Sequence, residues 1–332
     1  MVSISILGAG FMGSAHAANY KALDGRVRVK TVCARRAERA EKLAATLGAR
    51  AATDIEATIV DPEIDAVDIC LPTPLHRQAA ERALTTGKHV FLEKPIALTA
   101  PDADAIIEAA RRSGGILMVG LVLRFWPEYV ELQRRLASGE LGRPLAISTH
   151  RLSPPADWND WIRNRQQSGG TAVDLLIHDF DQMNWLLGLA RSVYAREPTA
   201  GHVQAVVEYE GAAGFAEGSM AMPTSYPFSS NIRVLAEGGV AEYAFSAAPA
   251  EDGGNIGASD AARGLRLYPA FGDARTVPIE SADPWGPEIS YFVDCVERGR
   301  QPEQGTGEQA REALLVSLAA NRSLASGRVE PV

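Results

Sequence analysis

The chain has 332 residues, a length that suggests two domains of ordinary size. Its 46% hydrophobic and 22% charged residues describe a globular protein that can bury a core without disulfide or metal staples. A formal charge of −8 argues against nucleic-acid or acidic-membrane partners, and the three cysteines (Cys33, Cys70, Cys295) form no CxxC pair.

Residues 2 to 9 are apolar, but no basic segment precedes them and Gly8 and Gly10 break the run, so no signal peptide is expected. No apolar run nears the ~20 residues that span a bilayer. A cytoplasmic location is the expectation. Ser3 to Leu7 reads as a strand, Phe11 to Leu23 as a helix, Val27 to Cys33 as a strand and Arg35 to Leu47 as a helix. Strands follow at Ala66 to Cys70, His89 to Leu92 and Ile116 to Val119, with helices at Leu75 to Thr86 and Ala100 to Ser113 between them. The alternation predicts a doubly wound parallel sheet over residues 1–121.

The pattern changes after about Val122. Tyr129 to Ser138 reads as a helix, Pro144 to His150 as a strand, and Thr171 to Leu187 as a single helix. Strand-like runs from His202 to Phe245, broken by Gly, Pro and Ser, suggest an antiparallel meander. Gln309 to Leu324 reads as a terminal helix, and the Gly/Asp/Ala-rich stretch from Ala248 to Ser259 as a mobile surface loop. Residues 122–332 therefore read as an α+β domain for substrate binding and oligomerisation.

Gly8-Ala9-Gly10-Phe11-Met12-Gly13 fits G-x-G-x-x-G, placed after the first strand and before a helix. Such a turn lets backbone approach a pyrophosphate, whose charge then meets a helix N-terminus. The ribose selector, ~20 residues further on, falls at Ala34 with Arg35 and Arg36 behind it. An acidic residue there would repel a 2′-phosphate. Ala-Arg-Arg instead offers guanidinium donors, which leans toward NADP over NAD, unless both arginines are simply solvated.

Lys94 ends the next strand in Glu93-Lys94-Pro95, at the sheet edge where open parallel sheets bind ligands. Pro95 biases Lys94 toward an extended backbone. The plain alternative is a loop lysine paired with Glu93. Asp174, His178 and Asp181 are spaced i, i+4, i+7 on the helix that follows Gly169-Gly170. Val173, Leu176, Phe180, Met183 and Leu187 form its apolar face. A carboxylate–imidazole–carboxylate stripe suits a base with a fixed tautomer. The alternatives are a cap at Thr171 and Asp174, a solvated face or a ligand set, although no metal is expected. Trp158 and Trp161, with Asp157 and Arg163, come from a loop whose aromatic faces suit a sugar ring or simply pack the loop. His150 and Tyr226 are weaker candidates.

With these motifs quoted, the sequence resembles the glucose–fructose oxidoreductase and inositol dehydrogenase-like (Gfo/Idh/MocA) family. The resemblance covers nearly the whole chain: GAGFMG at 8 to 13, LPTPLH at 71 to 76, GKHVFLEKPIA at 87 to 97, LRF at 123 to 125, SGELGRP at 138 to 144 and SGGTAVDLLIHDFDQMNWLLG at 168 to 188. It implies that Gly8, Gly10, Phe11, Met12, Gly13, Leu71, Pro72, Thr73, His76 and Glu93 belong to the cofactor site. It places Lys94 beside nicotinamide and the reacting substrate oxygen, with Asp174 and His178 completing the catalytic group. By the same resemblance Asp181 contacts substrate and Arg124 lies near substrate or nicotinamide. Trp161 resembles a cofactor-contacting tryptophan of some NADP-dependent members, although Ile162 replaces the arginine that follows it there. The family's second half is an open antiparallel sheet whose free face commonly packs on a partner, which implies a homodimer or homotetramer.

The expected function is NAD(P)-dependent hydride transfer between nicotinamide and a secondary alcohol or ketone of a sugar, cyclitol or related polyol. The alternatives are an NADPH-dependent reductase of a small ketone or imine, and a non-catalytic cofactor sensor on the same fold.

Overall fold

The computed structural model describes residues 1–155, 160–247, 264–279 and 285–332. The predicted loop at 248–259, Asp157 and Trp158 lie outside them. In chain order the elements begin β1 (Val2–Leu7), α1 (Phe11–Ala22), β2 (Val27–Cys33), α2 (Ala37–Leu47), β3 (Arg50–Ala52), α3 (Ile55–Ile59) and β4 (Ala66–Ile69). Then come α4 (His76–Thr85), β5 (His89–Leu92), α5 (Ala100–Ser113), β6 (Leu117–Val119), α6 (Pro127–Ala137) and β7 (Pro144–Leu152). Four helices follow: α7 (Asp160–Arg163), α8 (Arg165–Ser168), α9 (Thr171–Asp174) and α10 (Ile177–Leu187). The strands β8 (Ser192–Thr199), β9 (His202–Tyr209), β10 (Ala212–Ser219), β11 (Phe228–Ala236), β12 (Gly239–Ala247), β13 (Leu265–Pro269) and β14 (Arg275–Val277) come next. The chain ends with α11 (Gly286–Arg298), α12 (Gly307–Ser326) and β15 (Glu330–Pro331).

Two compact units result, one of Met1–Phe125 with Ala282–Arg311, the other of Trp126–Ser281 with Glu312–Val332. The first holds a six-stranded parallel sheet in the order β3-β2-β1-β4-β5-β6. That is the Rossmann order, with its switch point between β1 and β4. Helices on both faces explain why β4 is buried at all four positions and β5 at all but its first. Its core joins Ile4, Ile6, Val32, Phe91 and Met118 to Ile289, Phe292 and Val293 of α11. The sequence reading assigns no helix there, although Ile289, Phe292, Val293 and Val296 recur at i, i+3, i+4 and i+7.

The second unit holds a nine-stranded sheet, order β14-β13-β12-β11-β7-β10-β9-β8-β15. The expected meander appears as the antiparallel pairs β9–β10 and β11–β12. One pairing departs from it: β10 runs parallel to β7. Residues 153–211, with four helices, separate these two strands, which gives the long crossover a parallel pair requires. The helix α10 packs on this sheet through glycines of β10. A Cβ on Gly214 would stand 2.5 Å from Met183 Sδ, and one on Gly218 2.6 Å from Leu176 Cγ.

Candidate active site

The glycine turn is built by close approach. Gly8 has φ +115, and a Cβ on it would stand 2.3 Å from the Cys70 carbonyl oxygen. A Cβ on Gly13 would stand 1.9 Å from the Gly8 carbonyl oxygen. Gly10 differs, because a Cβ there would meet nothing within 4 Å. Its tolerance is toward open space, where a ligand's phosphate can approach the backbone. Gly10 is also the N-cap of α1, with no side-chain cap and no acidic residue in the first turn. The helix N-terminus is thus left to an incoming anion. Phe11 packs edge-on against Trp285, 5.9 Å between ring centroids, while Met12 is half-buried.

The loop after β4 is tied to the corner after β5 by His76. Its Nε2 lies 2.8 Å from the Leu71 carbonyl oxygen and its Nδ1 2.9 Å from that of Pro95. Burial holds His76 below its ordinary pKa even though both carbonyls favour the charged form. A neutral ring donates to one of them at a time. Pro72 is half-buried, and Thr73 Oγ1 is buried without a hydrogen-bond partner. An orphaned hydroxyl, an uncapped helix end and an open glycine face fit a dinucleotide laid along this edge.

Glu93 and Lys94 follow β5 directly, and the Lys94–Pro95 peptide is cis. Lys94 is half-buried, and its backbone N–H donates to Glu93 Oε2 at 3.1 Å. Glu93 Oε1 lies 3.1 Å from Nε2 of the fully buried His16. The other ring nitrogen of His16 is 2.9 Å from Asp68 Oδ2. The Cys70 Sγ donates to Asp68 Oδ1 at 3.3 Å. Burial lowers the His16 pKa, but Asp68 and then Cys70 outweigh it and leave it well above the usual range. Burial, and secondarily Asp68, push the Cys70 thiol up. The Glu288 carboxyl, contributed by α11, is fully buried with neither oxygen hydrogen-bonded; burial, then Glu93, raise its pKa well above the ordinary value. The sequence reading names Glu93 but not its neighbours His16, Asp68 and Glu288, yet Asp68 inside Ala66-Val67-Asp68-Ile69 is their signal. A carboxylate in an otherwise apolar buried strand needs a partner.

Ala34 is buried at the end of β2, and Arg35 and Arg36 are exposed beyond it. Arg124 is buried, and its Nη1 donates to Gln304 Oε1 at 3.0 Å.

In the second unit the expected helix from Thr171 to Leu187 is two helices. α9 ends at Asp174, and α10 starts at Ile177. One continuous helix therefore does not set the face shared by Asp174 and His178. His178 and Asp181 do share α10, three residues apart. Thr171 forms no cap; its hydroxyl donates to the Gly201 carbonyl at 3.1 Å. Asp174 and His178 are half-buried, and Asp181 is buried, which excludes a solvated face for it. Val173, Leu176, Phe180 and Met183 are fully buried as expected, whereas Leu187 is half-buried. Asp179 accepts two bonds from Arg151 of β7, at 2.9 and 3.3 Å, with both residues buried. The sequence reading misses this pair, because nothing in the spacing links residues so far apart. Trp161 is half-buried in α7, and Tyr226 half-buried in a loop. Burial holds the His150 imidazole below its ordinary pKa.

Two family descriptions match. Residues 2–121 match "GFO_IDH_MocA: Oxidoreductase family, NAD-binding Rossmann fold" and residues 129–242 match "GFO/IDH/MocA C-terminal domain". Inositol 2-dehydrogenase of Rhizobium meliloti is 30% identical over 98% of this chain and 98% of that protein. The chain belongs to the GFO/IDH/MocA oxidoreductase family. It is also similar to scyllo-inositol 2-dehydrogenase (NAD(+)) of Bacillus subtilis, 34% identical over 56% of this chain. That alignment covers 54% of the relative, so the chain spans about half the length of the first curated relatives it matches. Among solved structures, a putative myo-inositol dehydrogenase from Sinorhizobium meliloti superposes with TM-score 0.79, 26% identity and full coverage of both chains. An oxidoreductase domain protein from Kribbella flavida, at TM-score 0.86 and 21% identity over 100% of this chain and 99% of that one, shares the fold.

Proposed function

We propose that this GFO/IDH/MocA member is an NAD(P)-dependent dehydrogenase that oxidises a secondary alcohol of a cyclitol, sugar or related polyol, and reduces the ketone in reverse. The observation that carries the reading is Lys94, set just past the end of β5 in a Rossmann sheet whose glycine turn fits a dinucleotide. Full-length similarity to an inositol 2-dehydrogenase supports the substrate class. In this proposal residues 1–121 are the cofactor domain and 122–332 the substrate and oligomerisation domain, except that residues 122–125 and 282–311, with α11, fall in the first unit.

The glycine turn, the Leu71–His76 loop and the Glu93–Lys94 corner would hold the dinucleotide, which supplies a hydride acceptor when bound. His178 takes the hydroxyl proton. Asp174 orients the imidazole and stabilises its charge. Lys94 stabilises the developing alkoxide, while Arg124, Trp158, Trp161 and Asp181 contact the substrate. Ala34 with Arg35 and Arg36 favours NADP, because no carboxylate at that position repels a 2′-phosphate.

The free face of the nine-stranded sheet supports a homo-oligomer. Tyr194, Val206 and Phe215 are exposed and sit opposite one another across β8, β9 and β10, forming one apolar row. Among the described residues no helix is long and apolar enough to cross a membrane.

The test is titration with NAD⁺, NADP⁺, NADH and NADPH, followed by a polyol and sugar panel read at the nicotinamide absorbance band. Lys94→Ala and His178→Ala should each lower kcat by ~10²–10⁴-fold with cofactor affinity nearly intact. Wild-type kcat in both would end the assignment. Dinucleotide binding without turnover of any polyol, sugar or ketone would favour a cofactor sensor.

A further inference from the structure

The imidazole of His16 stands between two carboxylates that belong to neighbouring strands of the first unit. Nδ1 is 2.9 Å from Asp68 Oδ2 on β4, and Nε2 is 3.1 Å from Glu93 Oε1 at the end of β5. A ring with an acid on each side serves both only as imidazolium, since a neutral ring has a single N–H. The His16–Asp68 contact is a hydrogen bond, while the His16–Glu93 contact is an ion pair outside hydrogen-bond alignment. Glu93 in turn spends its second oxygen on the backbone N–H of Lys94. Gly120 lets the carboxylate lie there: a Cβ on it would stand 3.3 Å from Glu93 Oε1. An unbroken chain of polar contacts therefore runs from β4 through His16 and Glu93 to the main chain of Lys94.

We propose that His16, with Asp68 behind it, is a positioning residue that holds the Glu93 carboxylate and so fixes the backbone from which Lys94 presents its amine. The inference rests on the reading of Lys94 as a catalytic residue and adds the device that holds it. Neither His16 nor Asp68 needs to touch substrate or cofactor, since both are fully buried. A polar core group that serves stability alone would be indifferent to catalytic geometry. This one ends on the residue whose placement the reaction reads. A misplacement of about 1 Å at a reacting group costs on the order of 100-fold in rate.

Glu93→Gln keeps the side chain's shape and can still accept the Lys94 N–H, but removes the charge that faces His16. His16→Gln keeps a polar group in the cavity and removes the imidazolium. In the full-length protein each should lower kcat by ~10–100-fold, and His16→Gln, whose side chain is fully buried, should leave the Kd for reduced dinucleotide, read by fluorescence, within about twofold. The double variant should lose little more than the worse single one, because the two substitutions cut the same chain. Near-wild-type kcat in folded Glu93→Gln, or losses that multiply in the double variant, would overturn the proposal. If His16→Gln does not fold, Glu93→Gln alone carries the test. A full kcat in Lys94→Ala would instead overturn the reading of the site, whatever the other variants do. The donor atoms of His16, Asp68 and Cys70 lie within 4.8 Å of one another, close enough to share an ion. A stoichiometric metal in the purified protein, removable by chelator with loss of fold, would replace the chain of polar contacts and also overturn the proposal.

Discussion

The two sheets bury their residues in opposite ways. In the first unit β4 and β6 are buried at every position, and β1 at all but one. In the second unit β9 alternates buried and accessible residues along its whole length. Parallel strands joined by helices are covered on both faces in the middle of this sheet, so β1, β4, β5 and β6 are accessible mainly at their ends, beyond which Gly8 and Lys94 lie. The mostly antiparallel sheet is covered by α10 on one face and leaves the other to solvent. An accessible strand edge thus marks one unit, and a broad open face the other.

Substitutions in the two interiors sharpen the contrast. Arg151→Ala would leave the buried Asp179 carboxylate without its guanidinium, which should cost about 3–5 kcal/mol of stability in chemical denaturation. The effect belongs to the second unit and should leave dinucleotide affinity in surviving protein unchanged. In the first unit, Gly13→Ala forces a methyl against the Gly8 carbonyl and should destabilise by about 1–3 kcal/mol. Gly10→Ala meets no neighbour, so its melting temperature should match the wild type. Its dinucleotide affinity should fall on the order of tenfold, read by titration. Equal melting losses in both glycine variants would mean that Gly10 is structural rather than a ligand face.

The same contrast governs what the sequence makes legible. The sequence marks β2, β5 and α5 at their observed bounds; for β5 a short apolar run is enough, because a strand buried on both faces has little freedom in composition. Helix α11 carries a helical apolar spacing, but linear order hides that this segment near the C-terminus returns to complete a core begun by the first 120 residues. The break between α9 and α10 escapes too. Leu175 and Leu176 are good helix formers, so local propensity does not mark the break. Lys94 and the glycine turn are readable because each sits in a local motif. His16–Asp68–Glu93 and Arg151–Asp179 join residues far apart in the chain, and no spacing rule connects them.

Cofactor choice tests the edge of the first sheet. Arg35 and Arg36 are exposed past the end of β2, where Ala34 leaves no acidic side chain. Replacing both by alanine should weaken NADPH binding about tenfold and leave NADH binding within about twofold. Tight NADH binding without NADPH binding in the wild type would remove the arginines from the cofactor site.

The smallest expected effect on the folded chain lies on the open face of the second sheet. Phe215 is 40% exposed, and its cross-strand partner Val206 is 48% exposed. A charge at Phe215 loses little burial within the subunit, so Phe215→Asp should change its stability by no more than about 0.5 kcal/mol. In an assembly that covers this face, the same charge would be buried without a partner and should drive dissociation. Sedimentation should then report a smaller species for Phe215→Asp than for wild type, at matched melting temperature in dilute solution. The reverse outcome, an unchanged sedimentation coefficient, would place any subunit contact elsewhere and leave the apolar row exposed. The two sheets would then differ in burial without differing in use, and the open face would lose its part in the proposed function.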